Sequence, residues 1–241
     1  MIKLFSIVWL VSVHIHHGTS NYNYRVQEGR DVVEGAYPYV VVLSIILDEK
    51  YFRMCTGSMI TETWGMTAAH CSCYVPIIEM FLHPSYRSLS TNGGRKDYMV
   101  NNDISLFRSG KVPKKPYAVL LPLDYSTLIG LPVVYVGGGR SKDRPQKADK
   151  FRPLQVGEAT IIPCDEEMRK PSKFVICLAP KCSNKLQTPW YGDSGGPLIY
   201  DGKIIGVASY IIESKILRRF GYVPVSPYID WIHHVISATG A

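Results

Sequence analysis

Short runs rich in valine, isoleucine, tyrosine and phenylalanine recur along the chain, each closed off by turn-forming residues. Tyr39–Leu47, Ile104–Phe107, Val133–Val136, Glu158–Ile162, Phe174–Leu178, Leu198–Tyr200, Ile204–Tyr210 and Phe220–Val225 read as strands, because β-branched and aromatic side chains suit a pleated, half-buried surface. So many short strands predict an all-β sandwich or barrel. Only near the end does the spacing change. There Tyr228, Ile229, Trp231, Ile232, Val235 and Ile236 fall at three- and four-residue steps, which is one face of a C-terminal amphipathic helix. No repeat or composition break divides the chain, and the Pro/Lys-rich stretch Lys111–Pro122 is the best place for a crossover between two halves.

The 241 residues suffice for one packed unit or two small fused barrels, each with its own core. Hydrophobic residues make up 46% and charged residues 20%, which speaks against disorder. Met1 to about Ser20 carries Lys3, the apolar stretch Leu4–Val13, and the small residues Gly18 and Ser20, the layout of a secretory signal. Its apolar run falls short of the ~20 residues of a spanning helix. The mature protein is therefore expected to be secreted and extracellular, with no membrane association. His14, His16 and His17 fall in or beside the discarded segment, so no metal site is expected. Export makes the six cysteines disulfide candidates, although spacing alone leaves every pairing open. The net charge of +7 gathers partly at Lys111–Lys115 and Arg140–Lys150. These clusters lie among prolines and glycines without interleaved aromatics, and so read as solvated loops and not as a nucleic-acid surface.

Three segments carry chemistry. Gly192-Asp193-Ser194-Gly195-Gly196-Pro197 offers a serine on a tight turn, where glycines permit an exposed hydroxyl and free backbone N–H groups for an oxyanion. Thr67-Ala68-Ala69-His70-Cys71 supplies an imidazole, the natural base for a hydroxyl that is a poor nucleophile until its proton is taken. Asn102-Asp103-Ile104-Ser105-Leu106-Phe107 puts one carboxylate at the head of an apolar strand, where an imidazole N–H is a suitable partner. Alone, His70 would read as a core histidine and Asp103 as a turn residue; the combination changes the reading.

Taken together, the three segments resemble the trypsin/chymotrypsin family of serine proteases, in the same chain order of His, Asp and Ser, over nearly everything after the signal. The likeness extends to Cys55-Thr56-Gly57-Ser58-Met59-Ile60 before the histidine, to His83-Pro84-Ser85-Tyr86 before the aspartate, to Cys164 and Cys177, and to Tyr228…Trp231-Ile232. It implies two antiparallel Greek-key β-barrels packed face to face, with the cleft between them. It also implies disulfides Cys55–Cys71 and Cys164–Cys177 and a triad of His70, Asp103 and Ser194. The N–H groups of Gly192 and Ser194 would form the oxyanion hole, and Ser209, Tyr210 and Ile211 would bind peptide as an added strand. Arg25-Val26, spaced correctly before Tyr37-Pro38, is similar to the family's activation site. A competing start at Val32 follows Asp31 and leaves too little chain before Pro38. Cleavage after Arg25 would free a Val26 ammonium to pair with Asp193. The organisation implied is thus a signal over 1–20, an activation peptide over 21–25, and a peptidase domain over 26–241.

The chain also departs from the family pattern. Thr188 stands six before Ser194, where trypsin-like members carry an aspartate, and no carboxylate lies in Gln187–Tyr191. Ile211 and Phe220 stand where pocket walls are commonly glycine, so the pocket should accept small apolar side chains and not basic ones. Thr188, Tyr191 and Phe220 complete the expected substrate-binding set. Trp190 replaces a family cysteine, Gly137-Gly138-Gly139 replaces a stretch with a tryptophan, and Gln27-Glu28 makes the new terminus polar. Cys73 and Cys182 are left over, to pair together, pair with another chain, or stay thiols.

The expected function is a secreted serine endopeptidase, made as a zymogen that another protease activates, since this pocket does not suit Arg25. Its partners would be protein or peptide substrates, the activating protease and protein inhibitors, with no cofactor, and the molecule would be a monomer. A catalytically silent relative that binds proteins through the same cleft is the competing reading, motivated by the filled pocket. A secreted structural β-protein would leave the triad a coincidence.

Overall fold

The computed structural model describes residues 26, 29–47, 50–74, 79–89, 99–113, 116–139, 152–181, 187–213 and 218–239. The signal-like segment 1–20, Arg25, Gln27, Glu28, Cys182, the lysines at 114 and 115, and the basic cluster 140–150 lie outside the described residues.

After a two-residue strand β1 (Arg30–Asp31), the chain enters β2 (Val40–Leu47) and β3 (Lys50–Met59), then β4 (Trp64–Thr67) and β5 (Glu79–Leu82). A separate two-stranded sheet, β6 (Arg87–Leu89) and β7 (Met99–Asn101), precedes β8 (Ser105–Arg108). The first half is an antiparallel sheet in the order β2-β3-β4-β8-β5. Its longest ladder joins β2, a nearly unbroken β-branched and leucine run, to β3 from Val40↔Ser58 to Leu47↔Lys50.

The second half comprises β9 (Pro132–Gly137), β10 (Gln155–Ile162), a one-turn helix α1 (Glu166–Arg169), β11 (Ile176–Pro180), β12 (Pro197–Tyr200), β13 (Lys203–Glu213) and β14 (Arg218–Pro224). These strands run β9-β10-β11-β14-β13-β12, and β12 pairs back to β9, so the sheet closes into a six-stranded antiparallel barrel. β1 adds to β10 at its edge, through Arg30↔Val156 and Asp31↔Gln155. Between the halves, Val112 and Ala118 donate to the carbonyls of Glu62 and Met59, and Leu121 then donates to that of Ile204.

The expected all-β architecture with two packed halves and a terminal helix holds. Element ends differ: β10 begins at Gln155, β11 at Ile176, and β13 continues to Glu213. Strands β3 to β7 were not legible as strands, because Arg53, Cys55, Thr56 and Gly57 break the apolar alternation of β3. Both family-implied disulfides, Cys55–Cys71 and Cys164–Cys177, are formed. Cys73 is an exposed free thiol.

One apolar core spans the junction of the halves. Met59, Trp64, Met66, Ile104, Leu106 and Phe107 of the first sheet share it with Val136, Val156, Ile204 and Val207 of the barrel. Helix α2 (Ile229–Ala238), entered through a 3₁₀ turn at Ser226–Tyr228, covers one end of this core. Asp230 in its first turn suits the positive end of the helix. Ile232, 1% exposed, is its buried anchor, a burial worth about 2 kcal/mol.

Candidate active site

The serine turn is built by close packing. Gly195 sits at φ +81°, and a Cβ there would lie 2.0 Å from Thr67 Oγ1 and 2.3 Å from the Thr56 carbonyl, so only glycine lets the turn nest against the first sheet. The same contacts bring Ser194 to the stretch that carries His70. The Ser194 carbonyl accepts the Thr56 N–H at 2.8 Å and lies 3.8 Å from Cys71 Sγ. The Cys55–Cys71 bridge fixes that stretch, and the 3₁₀ turn Ala69–Cys73 presents the imidazole.

Asp103 is fully buried, and three donors converge on its carboxylate. Oδ1 accepts the His70 backbone N–H at 2.8 Å, and Oδ2 lies 2.7 Å from His70 Nδ1. The Ser209 hydroxyl donates to Oδ2 at 2.6 Å. Both carboxylate oxygens are thus hydrogen-bonded, which offsets the cost of burying the group. The neighbouring Asn102 holds the strand head. It adopts φ +53°, donates from Nδ2 to the Ser85 carbonyl at 2.8 Å, and accepts the Tyr228 hydroxyl at Oδ1, 2.9 Å away. The 3₁₀ turn ahead of α2 is thereby tied to the aspartate.

His70 is the switchable group here. Burial pulls its pKa down, but the charge of Asp103 and the hydrogen bond to it outweigh burial, and the net shift is upward from 6.5. A base acts only when neutral, so any rate that depends on this imidazole should fall as pH drops through a value above the ordinary one. A pH–rate profile whose acid limb lies at or below 6.5 would contradict that assignment. Among the described residues no hydrogen bond joins the Ser194 hydroxyl to the ring.

Asp193, 3% exposed, accepts the Gly139 N–H at 2.9 Å and the Trp190 N–H at 2.8 Å. This accounts for Gly137 and Gly139 of the glycine run 137–139, while Gly138 leaves room for Val42. A Cβ on Gly137 would stand 2.0 Å from the Asp193 carboxylate, and one on Gly139 2.5 Å from the Tyr191 carbonyl. Among the described residues neither the Gly192 nor the Ser194 N–H is spent on a hydrogen bond.

The expected substrate residues are placed unevenly. Ile211 and Phe220 face each other across the β13–β14 ladder. Phe220 is buried in the barrel's interior cluster, with Ile211 packed against it, and Thr188 is buried as well. Tyr191 is 66% exposed and stacks edge-on with Trp190. Tyr210 turns its ring onto Met168, Val175 and Cys177 and its hydroxyl onto the Met168 carbonyl, so its side chain is taken up by the interior.

Ser209 has a role that sequence reasoning missed. The β13–β14 register shifts between Ala208 and Tyr210, and such a bulge re-aims a side chain, here onto Asp103. A small hydroxyl in the otherwise apolar Val207-Ala208-Ser209-Tyr210 was the available signal. Val26 also lies fully buried in the barrel's interior cluster, whereas Val32, the competing start, is only partly buried against the other core.

The family described as Trypsin matches residues 26–232. Chymase from Mus musculus is 24% identical over 86% of this chain and 89% of its own length. Chymotrypsin-like elastase family member 1 from Macaca fascicularis is 24% identical, covering 96% and 98%. Serine protease SP24D from Anopheles gambiae is 28% identical, covering 86% and 80%.

Proposed function

Because this chain belongs to the Trypsin family of serine proteases, we propose that it is a secreted serine endopeptidase that works through His70, Asp103 and Ser194. One observation carries the reading: the fully buried Asp103 holds the His70 ring at 2.7 Å and also its main chain, on the stretch against which the Ser194 turn packs. Ser194 attacks the scissile carbonyl as His70 takes its proton, giving a tetrahedral oxyanion. The free N–H groups of Gly192 and Ser194 stabilise that charge. Collapse breaks the C–N bond, His70 returns the proton to the leaving amine, and water then hydrolyses the acyl-enzyme by the same exchange.

The filled pocket supports small apolar side chains at the cleaved position. Phe220 and Thr188 occupy buried positions, and no carboxylate at Thr188 waits for arginine. The protein is made as a precursor cut after Arg25 by another protease. The burial of Val26 supports this start over Val32, since a freed Val26 amine would emerge within the barrel that carries Asp193.

A phosphonate probe and a peptide library on the Arg25-cut protein test these points together. Covalent modification at Ser194, cleavage after small apolar residues, and precursor left uncut when incubated alone are the expected results. Folded protein that the probe leaves unmodified would establish the silent binding relative instead. Efficient cleavage after arginine would refute the pocket assignment.

A further inference from the structure

Strand β3 sends two side chains across to loops of the barrel, one of them to the nucleophile loop, and neither belongs to the triad. Thr56, fully buried, uses one hydroxyl twice: Oγ1 accepts the Gly138 N–H at 3.0 Å and donates to the Gly192 carbonyl at 2.9 Å. Its main chain is also engaged, the N–H donating to the Ser194 carbonyl and the carbonyl accepting the Thr67 hydroxyl, each at 2.8 Å. Three residues earlier, Arg53 is 5% exposed and donates to the Gly138 carbonyl at 3.2 Å and the Arg152 carbonyl at 3.0 Å. Gly138 is thus held at both its N–H and its carbonyl by β3, while the next amide, Gly139, is held by Asp193.

This places one hydroxyl between two loops of the barrel. Gly192 adopts φ +91° and has no side chain to restrict rotation about its α-carbon, so anchoring its carbonyl, in the peptide that follows, removes one of the two rotations that aim its N–H, in the peptide that precedes. Gly138 and Gly192 are both buried. Without the hydroxyl, an N–H and a carbonyl would face an apolar gap, at a cost that favours rotating the loop. We propose that Thr56 is a positioning residue for the oxyanion hole, clipping the Gly192 peptide to the segment 137–139 and to the first sheet. This role rests on the serine endopeptidase reading above.

The test compares Arg25-cut wild type with Thr56→Val, which keeps the shape, and Thr56→Ser, which keeps the hydroxyl. In Thr56→Val, kcat should fall about tenfold, less than the 10²–10³ lost with an oxyanion donor itself, while KM stays within about twofold. Thr56→Ser should recover most of that kcat. Deuterium uptake by peptides covering 187–197 should rise in Thr56→Val and return in Thr56→Ser, with β13 unchanged. A Thr56→Val enzyme with wild-type kcat and exchange, a loss confined to KM, or a Thr56→Ser as impaired as Thr56→Val would each overturn the proposal. Should Thr56→Val fail to fold, Thr56→Ala against Thr56→Ser makes the same comparison. Exchange is readable whether or not the chain cleaves peptide, so an inactive wild type would count against the endopeptidase reading, while the exchange result alone still decides the clip.

Discussion

Replacing Ser194 with alanine is expected to lower kcat on the order of 10⁶-fold, to the residual rate that binding and oxyanion stabilisation alone provide. The hydroxyl forms the new bond in the transition state and contributes little to ground-state binding, so KM should move far less. Folding should survive, because the turn is held by the main chain: the Ser194 carbonyl accepts the Thr56 N–H, and the Gly195 N–H donates to the Ala208 carbonyl at 2.8 Å. Stopped-time assays with a small apolar peptide ester, alongside circular dichroism, would show both. An alanine variant as active as the wild type would mean that the serine is not the nucleophile.

The second large effect is expected from Asp103→Asn, a loss of about 10⁴-fold in kcat. The hydrogen bonds at this residue explain the size. The Oδ1 position must accept the His70 main-chain N–H, so the new amide nitrogen takes the Oδ2 position, facing His70 Nδ1 and the Ser209 hydroxyl. There it donates to Nδ1, which puts the ring's proton on Nε2, where it cannot receive one from serine. The two influences that raise the imidazole pKa disappear together and burial, which lowers it, remains. The acid limb of the surviving rate should therefore move to lower pH. A variant that keeps the wild-type limb would show that Asp103 does not govern the ring.

Much of this site was legible in short contiguous strings. His70, Asp103 and Ser194 each stand in a motif whose neighbours make chemical sense, and strands such as β2 and β12 announce themselves through runs of β-branched, leucine and aromatic residues. What escaped reading depends on contacts between distant positions. Ser209 meets Asp103 across 106 residues, and Thr56 meets Gly192 across 136. A lone hydroxyl in an apolar run hints at Ser209, but its partner and that of Thr56 stay hidden until a bulge or a sheet crossing aims them. The glycine run of 137–139 looked like a departure from pattern, and only its close packing on Asp193, the Tyr191 carbonyl and Val42 gives it a reason. Tyr210 was legible as a strand residue of β13, but the packing of its ring against Met168, Val175 and Cys177 was not.

The tie between Tyr228 and Asn102 has a consequence for biosynthesis. A ribosome delivers His70, Asp103 and Ser194 before it delivers Tyr228, so a growing polypeptide holds all three side chains while the brace on Asn102, beside the aspartate, is still missing. Closure of that brace on the strand head is thereby deferred until translation is nearly complete.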